Sequence, residues 1–360
     1  AQSNAGWQLA SFALGAYGMT QALFQIPFGL ASDRLGRKPV ITAGLLIFAA
    51  GSFLAAAAPD IHWVIAGRVV QGAGAISAAV TALAADLTRE QHRTKVMAMI
   101  GASIGGVFAI SLVVAPPLYA AVGMTGIFAL TGILALSAIV LLFRAVPPAP
   151  PIVVAERVPF SAVLTHGQLL RMNFGVLALH AMQTAMWVVV PPALVAAGHL
   201  PLGEHWKIYL PALLGSFVFM VPAVILADRH WRTKAVFMAA IGLLTVVQWG
   251  LSAMGGDGPY AIGFWLLLFF VAFNILEALQ PSLISRIAPA AAKGAALGVY
   301  NTTQSVGLFL GGALGGWLLK HYGTGAVHGF SAALGFIWLV LAAGLALPAM
   351  RPAARIETIG

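Results

Sequence analysis

Glu277 lies inside the apolar run Phe270-Val-Ala-Phe-Asn-Ile-Leu-Glu277-Ala-Leu. Burial disfavours the charged form of a carboxyl and a nearby cation favours it. Either setting makes Glu277 a proton-carrying candidate, against the alternative of a structural, hydrogen-bonded glutamate. Asn274, three residues earlier, falls on the same helix face. His180, Gln183, Thr184 and Trp187 recur at i, i+3, i+4 and i+7, a polar and aromatic stripe on an apolar helix. Polar groups facing lipid would be unpaired, so the stripe turns inward, to a central cavity or to hydrogen bonds with a neighbouring helix. A histidine titrates near neutral pH, which makes His180 a second proton candidate. Arg68 sits within a helix, where a charge costs at least about 2.5 kcal/mol. It either faces a cavity and couples to proton movement or snorkels to the interface. Asn301 and Gln304 form a shorter polar pair, and with Gln71, Gln183, Thr184, Trp187 and Asn274 they make up the candidate cavity lining.

These groups do not assemble into an enzyme. The chain has no Cys, no H-E-x-x-H, no acidic metal cluster and no P-loop. The chemistry on offer is proton and small-molecule binding, without a cofactor beyond a proton gradient. A channel would share the membrane setting, but it does not saturate as a transporter does.

The elements that position these side chains are membrane helices. Of 360 residues, 60% are hydrophobic and 8% charged, against about 25% charged in a soluble domain. Lipid is the solvent such a chain requires, at about 20 apolar residues per crossing. Eleven spans are expected, near 6–30, 39–58, 62–85, 96–118, 124–143, 172–197, 207–227, 235–254, 260–284, 294–319 and 327–347. Pro147, Pro148, Pro150 and Pro151 favour an extended linker over 144–171. The linker separates a first bundle, 1–143, from a second, 172–360, that ends in a short tail.

The net charge of +9 does not mark a nucleic-acid binder, because the cations lie in short loops rather than on one patch. Sixteen of the nineteen fall in alternate loops and the tail: Arg34, Arg37 and Lys38, then Arg89, Arg93 and Lys95, then Arg144, Arg157 and Arg171, then Arg229, Arg232 and Lys234, then Arg286 and Lys293, then Arg351 and Arg355. Lys207 and Lys320 fall on the other side. The positive-inside rule makes the rich side, with the C-terminus, cytoplasmic. Trp7, Trp63 and Trp206 near outer helix ends, and Trp231 near an inner one, read as interfacial anchors.

The halves repeat. Asp33-Arg34 with Arg37 and Lys38 recurs as Asp228-Arg229 with Arg232 and Lys234, and Gly101-Ala-Ser-Ile-Gly105-Gly106 recurs as Gly307-Leu-Phe-Leu-Gly311-Gly312, at offsets of 195 (228 less 33) and 206 (307 less 101). Parallel repeats about an axis along the membrane normal are a transporter architecture. Five helices before the linker and six after it predict one further helix ahead of Ala1.

The segment Gly29-Leu-Ala-Ser-Asp33-Arg34-Leu-Gly36-Arg37-Lys38 resembles the signature loop between the second and third helices of the major facilitator superfamily. Arg68-Val-Val-Gln71-Gly72-Ala-Gly74 resembles the fourth-helix motif of its drug–proton antiporter branch. Asp86-Leu-Thr-Arg-Glu-Gln, Glu204-His-Trp-Lys and the segment around Glu277 are similar to YajR-like bacterial inner-membrane transporters. The resemblance implies an all-α membrane protein with two pseudosymmetric bundles, eleven of twelve helices present, and proton-driven export of small, fairly hydrophobic molecules by alternating access. Uptake of a sugar or other metabolite is the alternative. It also implies that the signature-loop residues Gly29, Asp33, Arg34, Gly36, Arg37 and Lys38 latch the cytoplasmic side against the helix that starts near Lys293. The expected partners are a small-molecule substrate, protons and the bilayer of a bacterial inner membrane, with no nucleic acid, for a monomer. Ala115-Pro116 departs from the Gly-Pro of the antiporter fifth helix, and no soluble C-terminal domain follows before Gly360.

Overall fold

The computed structural model describes residues 2–147, 159–198, 200–201, 204–229, 232–253 and 258–346. The side chains of 2–15, 112–113, 116, 197–198 and 228–229 are outside that description. Pro148, Pro150, Pro151, Arg157, Trp231, Arg351 and Arg355, and the side chains of Trp7, Pro116, Asp228 and Arg229, therefore lie outside the description.

Lipid cannot hydrogen-bond a backbone, so a spanning segment must satisfy its own N–H and C=O groups. The described chain does so as helices: α1 Gln2–Leu35, α2 Arg37–Ala56, α3 Ile61–Ala73, α4 Ser77–Leu87, α5 Arg93–Arg144, α6 Phe160–Thr165, α7 Gly167–Gly198, α8 Trp206–Arg229, α9 Thr233–Ala253, α10 Pro259–Ile287, α11 Lys293–Tyr322 and α12 Thr324–Ala343. Nine described stretches are long and apolar enough to cross a membrane. At about 1.5 Å per residue, α1 and α11, of 34 and 30 residues, also have the necessary length. Ten of the eleven expected spans fall on one of these rods each, 96–118 and 124–143 sharing α5, and 62–85 falls on two.

Three local departures have physical causes. The expected span 62–85 is not one rod: α3 ends at Gly74 and α4 starts at Ser77. A Cβ on Gly74 would collide with the Gly44 carbonyl, so glycine here lets α2 close on the break. Within α5 the chain reverses at Gly123, whose φ of 63° favours glycine. Both ends of α5 therefore lie together: Arg93 Nε donates to Ala85 O at 3.1 Å, while Lys38 Nζ donates to Val146 O at 2.6 Å. Within the expected linker, Phe160–Thr165 turns helical after Pro159 and buries Val163, and α7 begins at Gly167 rather than 172. The proline cluster does not reach that far.

Apart from Arg68, Lys207 and Lys320, the described basic residues gather at one end of the molecule. Arg171 donates to the Gly344 carbonyl, Lys234 Nζ to Ala343 O at 2.7 Å, and Lys293 Nζ to Asp86 Oδ1 at 2.7 Å. Helices α1–α5 and α7–α12 form two groups that meet where α1 packs on α11 and where α5 packs on α8 and α10. In the second group, Gly307 and Gly311 allow α11 to press onto α7, because a Cβ at either would collide with the Leu177 or Ala181 backbone. Their sequence counterparts behave differently. Gly101 and Gly106 face open space, and Gly105 faces the Phe217 ring.

Candidate functional site

At the basic end, α1 runs straight at the first turn of α11. Asp33 Oδ1 accepts from Gly294 N at 2.8 Å, and Oδ2 accepts from Ala295 N at 2.7 Å. These are orphan donors of a helix N-terminus, where partial positive charge favours an anion. The approach needs glycine on both sides, since a Cβ at Gly29 would strike the Gly294 carbonyl, and one at Gly298 would lie 2.7 Å from Gln25 O. Gly36, at φ 94°, makes the turn that brings α2 back beside Asp33.

The Asp33 carboxylate is the first member of a ring. Arg37 Nη1 donates to Asp33 Oδ1 at 2.6 Å and to Ser32 Oγ at 2.7 Å, and Arg37 Nε donates to Asp86 Oδ2 at 3.0 Å. Lys293, on α11, closes the ring on Asp86. Two carboxylates and two cations, largely shielded, thus join α1, α2, α4 and α11. Lys38 instead holds Val146 O and lies over the Phe143 ring at 5.8 Å. Arg34 is exposed and outside the ring. A second seam joins α5 to α10: Thr94 Oγ1 and Ser282 Oγ are 3.0 Å apart, and Arg286 Nη2 donates to Thr94 Oγ1 at 3.0 Å.

Towards mid-membrane the groups still touch. Gln25 Oε1 accepts from Ala78 N at 3.4 Å, one of the amides exposed by the α3–α4 break, and from Asn301 Nδ2 at 3.3 Å. Thr302 Oγ1 donates to Ala22 O at 2.8 Å. Asn301 therefore bridges the two groups. Gln25 and Asp86 were missed as site residues. Their signals were legible, an amide within an apolar stretch of helix and a lone acid at a helix end.

Inside the second group, three helices bring His180, Glu277 and Gln304 together. His180 Nδ1 is 3.0 Å from Val176 O; a carbonyl only accepts, so Nδ1 carries hydrogen. Nε2 lies 2.7 Å from Gln304 Nε2 and 3.3 Å from Glu277 Oε1. The Phe273 ring packs edge-on to the imidazole at 5.7 Å. Asn274 turns away and donates to Ser216 Oγ on α8 at 2.7 Å.

Next to this cluster, away from the basic end, a cavity of about 460 Å³ opens between the two groups. Phe108 and Gly105 of α5 face Gln183 and Trp187 of α7, Tyr209 of α8 and Phe270 of α10. Trp187 stands edge-on to Tyr209 at 4.9 Å and tilted to Phe270 at 6.3 Å. The Tyr209 hydroxyl is buried without a hydrogen-bond partner. The stripe on α7 is thus divided. Gln183 and Trp187 line the cavity, His180 meets Glu277 and Gln304, and Thr184 donates to His180 O and faces Gly312 of α11.

Two candidates stand elsewhere. Gln71 is buried between α2 and α3, where it donates to Ser52 Oγ at 2.7 Å and accepts from Arg68 Nη1 at 2.9 Å. The Arg68 guanidinium lies over the Tyr17 ring at 4.3 Å. Neither residue lines the cavity or touches the His180 cluster. An amide paired with the next helix has the same sequence signal as one facing a cavity. Trp63 and Trp206 are each about half exposed near the ends of their helices opposite the basic end.

The sequence profile of the Major Facilitator Superfamily matches residues 2–204 and 172–358. The "Inner membrane transport protein YajR" of Escherichia coli (strain K12) is 43% identical, over 99% of this chain and 79% of its own length. The "Multidrug resistance protein MdtH" of Aeromonas hydrophila is 25% identical over 93% of this chain and 82% of its own. Among solved structures, the proton:xylose symporter XylE, at 16% identity, superposes with a TM-score of 0.73 over 96% of this chain and 88% of its own. The human organic anion transporter MFSD10, at 19% identity, gives 0.73 over 92% and 83%. At these identities the two structures share the fold.

Proposed function

The chain belongs to the major facilitator superfamily, and from that premise we propose that it is a proton-coupled exporter of small, largely apolar molecules, neutral or cationic. The basic end and the C-terminus face the cytoplasm of a bacterial inner membrane, as the positive-inside rule requires. With the ring around Asp33 made and a cavity on the opposite side, the arrangement is that of a carrier closed to the cytoplasm. Rocking of the two groups about the cavity exchanges access.

The observation that carries the proton reading is the trio His180, Glu277 and Gln304. With Nδ1–H held by Val176 O, a neutral imidazole has only its Nε2 lone pair to offer, and the Gln304 amide fills it. A proton arriving on Nε2 converts it from acceptor to donor, suited to the Glu277 carboxylate and no longer to the Gln304 N–H. Protonation therefore trades an α7–α11 hydrogen bond for an α7–α10 ion pair. Helix α11 is also the one that Asp33 caps, so the proton acts on the element that closes the cytoplasmic side.

Substrate class follows from the lining, in which three aromatic rings from the second group face Phe108 and the polar groups named are Gln183 and Tyr209. A sugar needs many paired polar groups, so metabolite uptake fits less well. The test is Glu277→Gln in proteoliposomes, following efflux of a lipophilic aromatic cation such as ethidium under an imposed pH gradient. Gradient-driven flux should fall by at least about a hundredfold, the low end for loss of a proton-transfer group, while counterflow without a gradient persists. If acidifying the outside still drives the variant at the wild-type rate, the His180–Glu277 pair takes no part in proton coupling.

A further inference from the structure

Gln248 of α9 and His328 of α12 are buried in a part of the molecule that the transport reading does not use. His328 Nδ1 lies 3.2 Å from Gln248 Oε1; the amide oxygen only accepts, so the imidazole donates. The other end of the same amide, Gln248 Nε2, is buried with no hydrogen-bond partner, although the residue is only 1% exposed. Donor hydrogens left unpaired in an apolar setting are destabilising, so a ligand that supplies an acceptor is favoured. Gln248 and His328 both line a crevice of about 420 Å³ between α9 and α12.

The crevice has a defined shape and depth. The two helices close on each other at Gly335, where a Cβ would collide with Thr245 Oγ1. Beyond that point Gly329 and Ala332 give α12 a low surface, and the helices leave a gap. Trp249 and Phe336 stand at its rim, 69% and 62% exposed, so it opens sideways to the surroundings of the bundle. Gln248 is five residues before the end of α9 and His328 four after the start of α12, about 6–8 Å in from those ends. That is the leaflet opposite the basic end, near the boundary of the hydrocarbon. No Lys or Arg lines the crevice, so it offers nothing for an anionic phosphate. It offers neutral N–H donors at the bottom of an apolar slot. The amphiphile with an acceptor at this depth and an apolar chain to fill the slot is a phospholipid, read through its acyl-ester carbonyl.

We propose that the α9–α12 crevice is a phospholipid site in the leaflet opposite the basic end, in which Gln248 Nε2 donates to an ester carbonyl and the acyl chain lies between Trp249 and Phe336. The test is native mass spectrometry of the full chain in detergent. It is titrated with 1-palmitoyl-2-oleoyl-phosphatidylethanolamine and, separately, with its dialkyl-ether analogue, which lacks the carbonyls. The wild type should retain the diester lipid about threefold or more over the ether lipid, the yield of one net hydrogen bond. Gln248→Leu should abolish that preference. Gly329→Phe, at a position where an added Cβ meets nothing within 4 Å, should lower retention of both lipids while leaving thermal unfolding unchanged. Equal retention of the two lipids by the wild type, a preference that survives Gln248→Leu, or undiminished binding in Gly329→Phe would each overturn the proposal.

Discussion

Asp33, at the end of α1, accepts the backbone amide of Gly294 at 2.8 Å, at the start of α11. One carboxylate thus caps a helix belonging to the other group, and Arg37 and Asp86 tie it into a ring that closes on Lys293. Asp33→Asn keeps the shape and removes the charge. A partly buried anion at a helix N-terminus contributes up to about 2 kcal/mol, so the closed cytoplasmic side loses up to roughly thirtyfold in population. Transport in proteoliposomes should slow while membrane insertion stays normal. An unchanged transport rate would remove the latch from the mechanism.

The same contact depends on bare backbone. A Cβ at Gly298 would sit 2.7 Å from Gln25 O and 3.0 Å from Ile26 Cα. Overpacking of this kind costs about 1–3 kcal/mol, and the cheapest relief is separation of the two groups. The chain has no cysteine, so a single thiol can report. Ser282→Cys places one on the buried seam against Thr94. Gly298→Ala in that background should speed its modification by a maleimide about fivefold or more. A rate equal to that of the Gly298 parent would show that the glycine is not needed for closure.

Much of the fold was legible because lipid imposes one rule on every span, and the eleven expected spans follow from apolar length. The breaks were less visible. Gly74 ends α3, yet membrane helices are rich in glycine that breaks nothing. Helical spacing put His180, Gln183, Thr184 and Trp187 on one side of α7, but it could not tell which neighbour each would meet. Thr184 is one position from Gln183, and that rotation suffices to turn it from the cavity to Gly312. The pairing of His180 with Gln304 spans 124 residues and depends on how closely α11 packs on α7, which Gly307 and Gly311 decide. Arg68 and Gln71 satisfy each other within α3, a local solution that the cost of an intramembrane charge allows but does not single out.

His180 and Glu277 are expected to act as one unit. Residues in a shared network show coupling energies of 0.5–3 kcal/mol, roughly a 2- to 150-fold departure from additivity. His180→Gln and Glu277→Gln should each abolish most gradient-driven flux, and the double variant should be no worse than the poorer single one. Fluxes measured at several imposed pH gradients give the cycle. Strictly multiplicative losses would mean that the two groups serve separate steps.

Gln71 separates a helix-packing role from a cavity role. Its amide joins Ser52 of α2 and Arg68 of α3, and interhelical hydrogen bonds in membranes average about 0.6 kcal/mol, with a maximum near 1.7. Gln71→Leu should lower thermal stability in detergent by about that amount, somewhat more because Arg68 loses its acceptor. The apparent KM for transported cations should stay within about twofold. A large KM change at wild-type stability would put Gln71 in the substrate path after all.

Trp187 should do the opposite. Its ring meets Tyr209 and Phe270 within the cavity, and an aromatic pair is worth about 0.5–1.5 kcal/mol beyond area burial. Trp187→Ala should raise the KM for an aromatic cation about two- to tenfold or more, with little loss of proton-driven coupling, because His180 and Glu277 remain in place. Trp187→Phe should recover part of the affinity, since it restores a ring against Tyr209. Comparison of an aromatic with an aliphatic quaternary ammonium of similar size isolates the ring contribution. The aliphatic compound should be less affected by either substitution, and equal effects on both would mean that the cavity selects by volume alone.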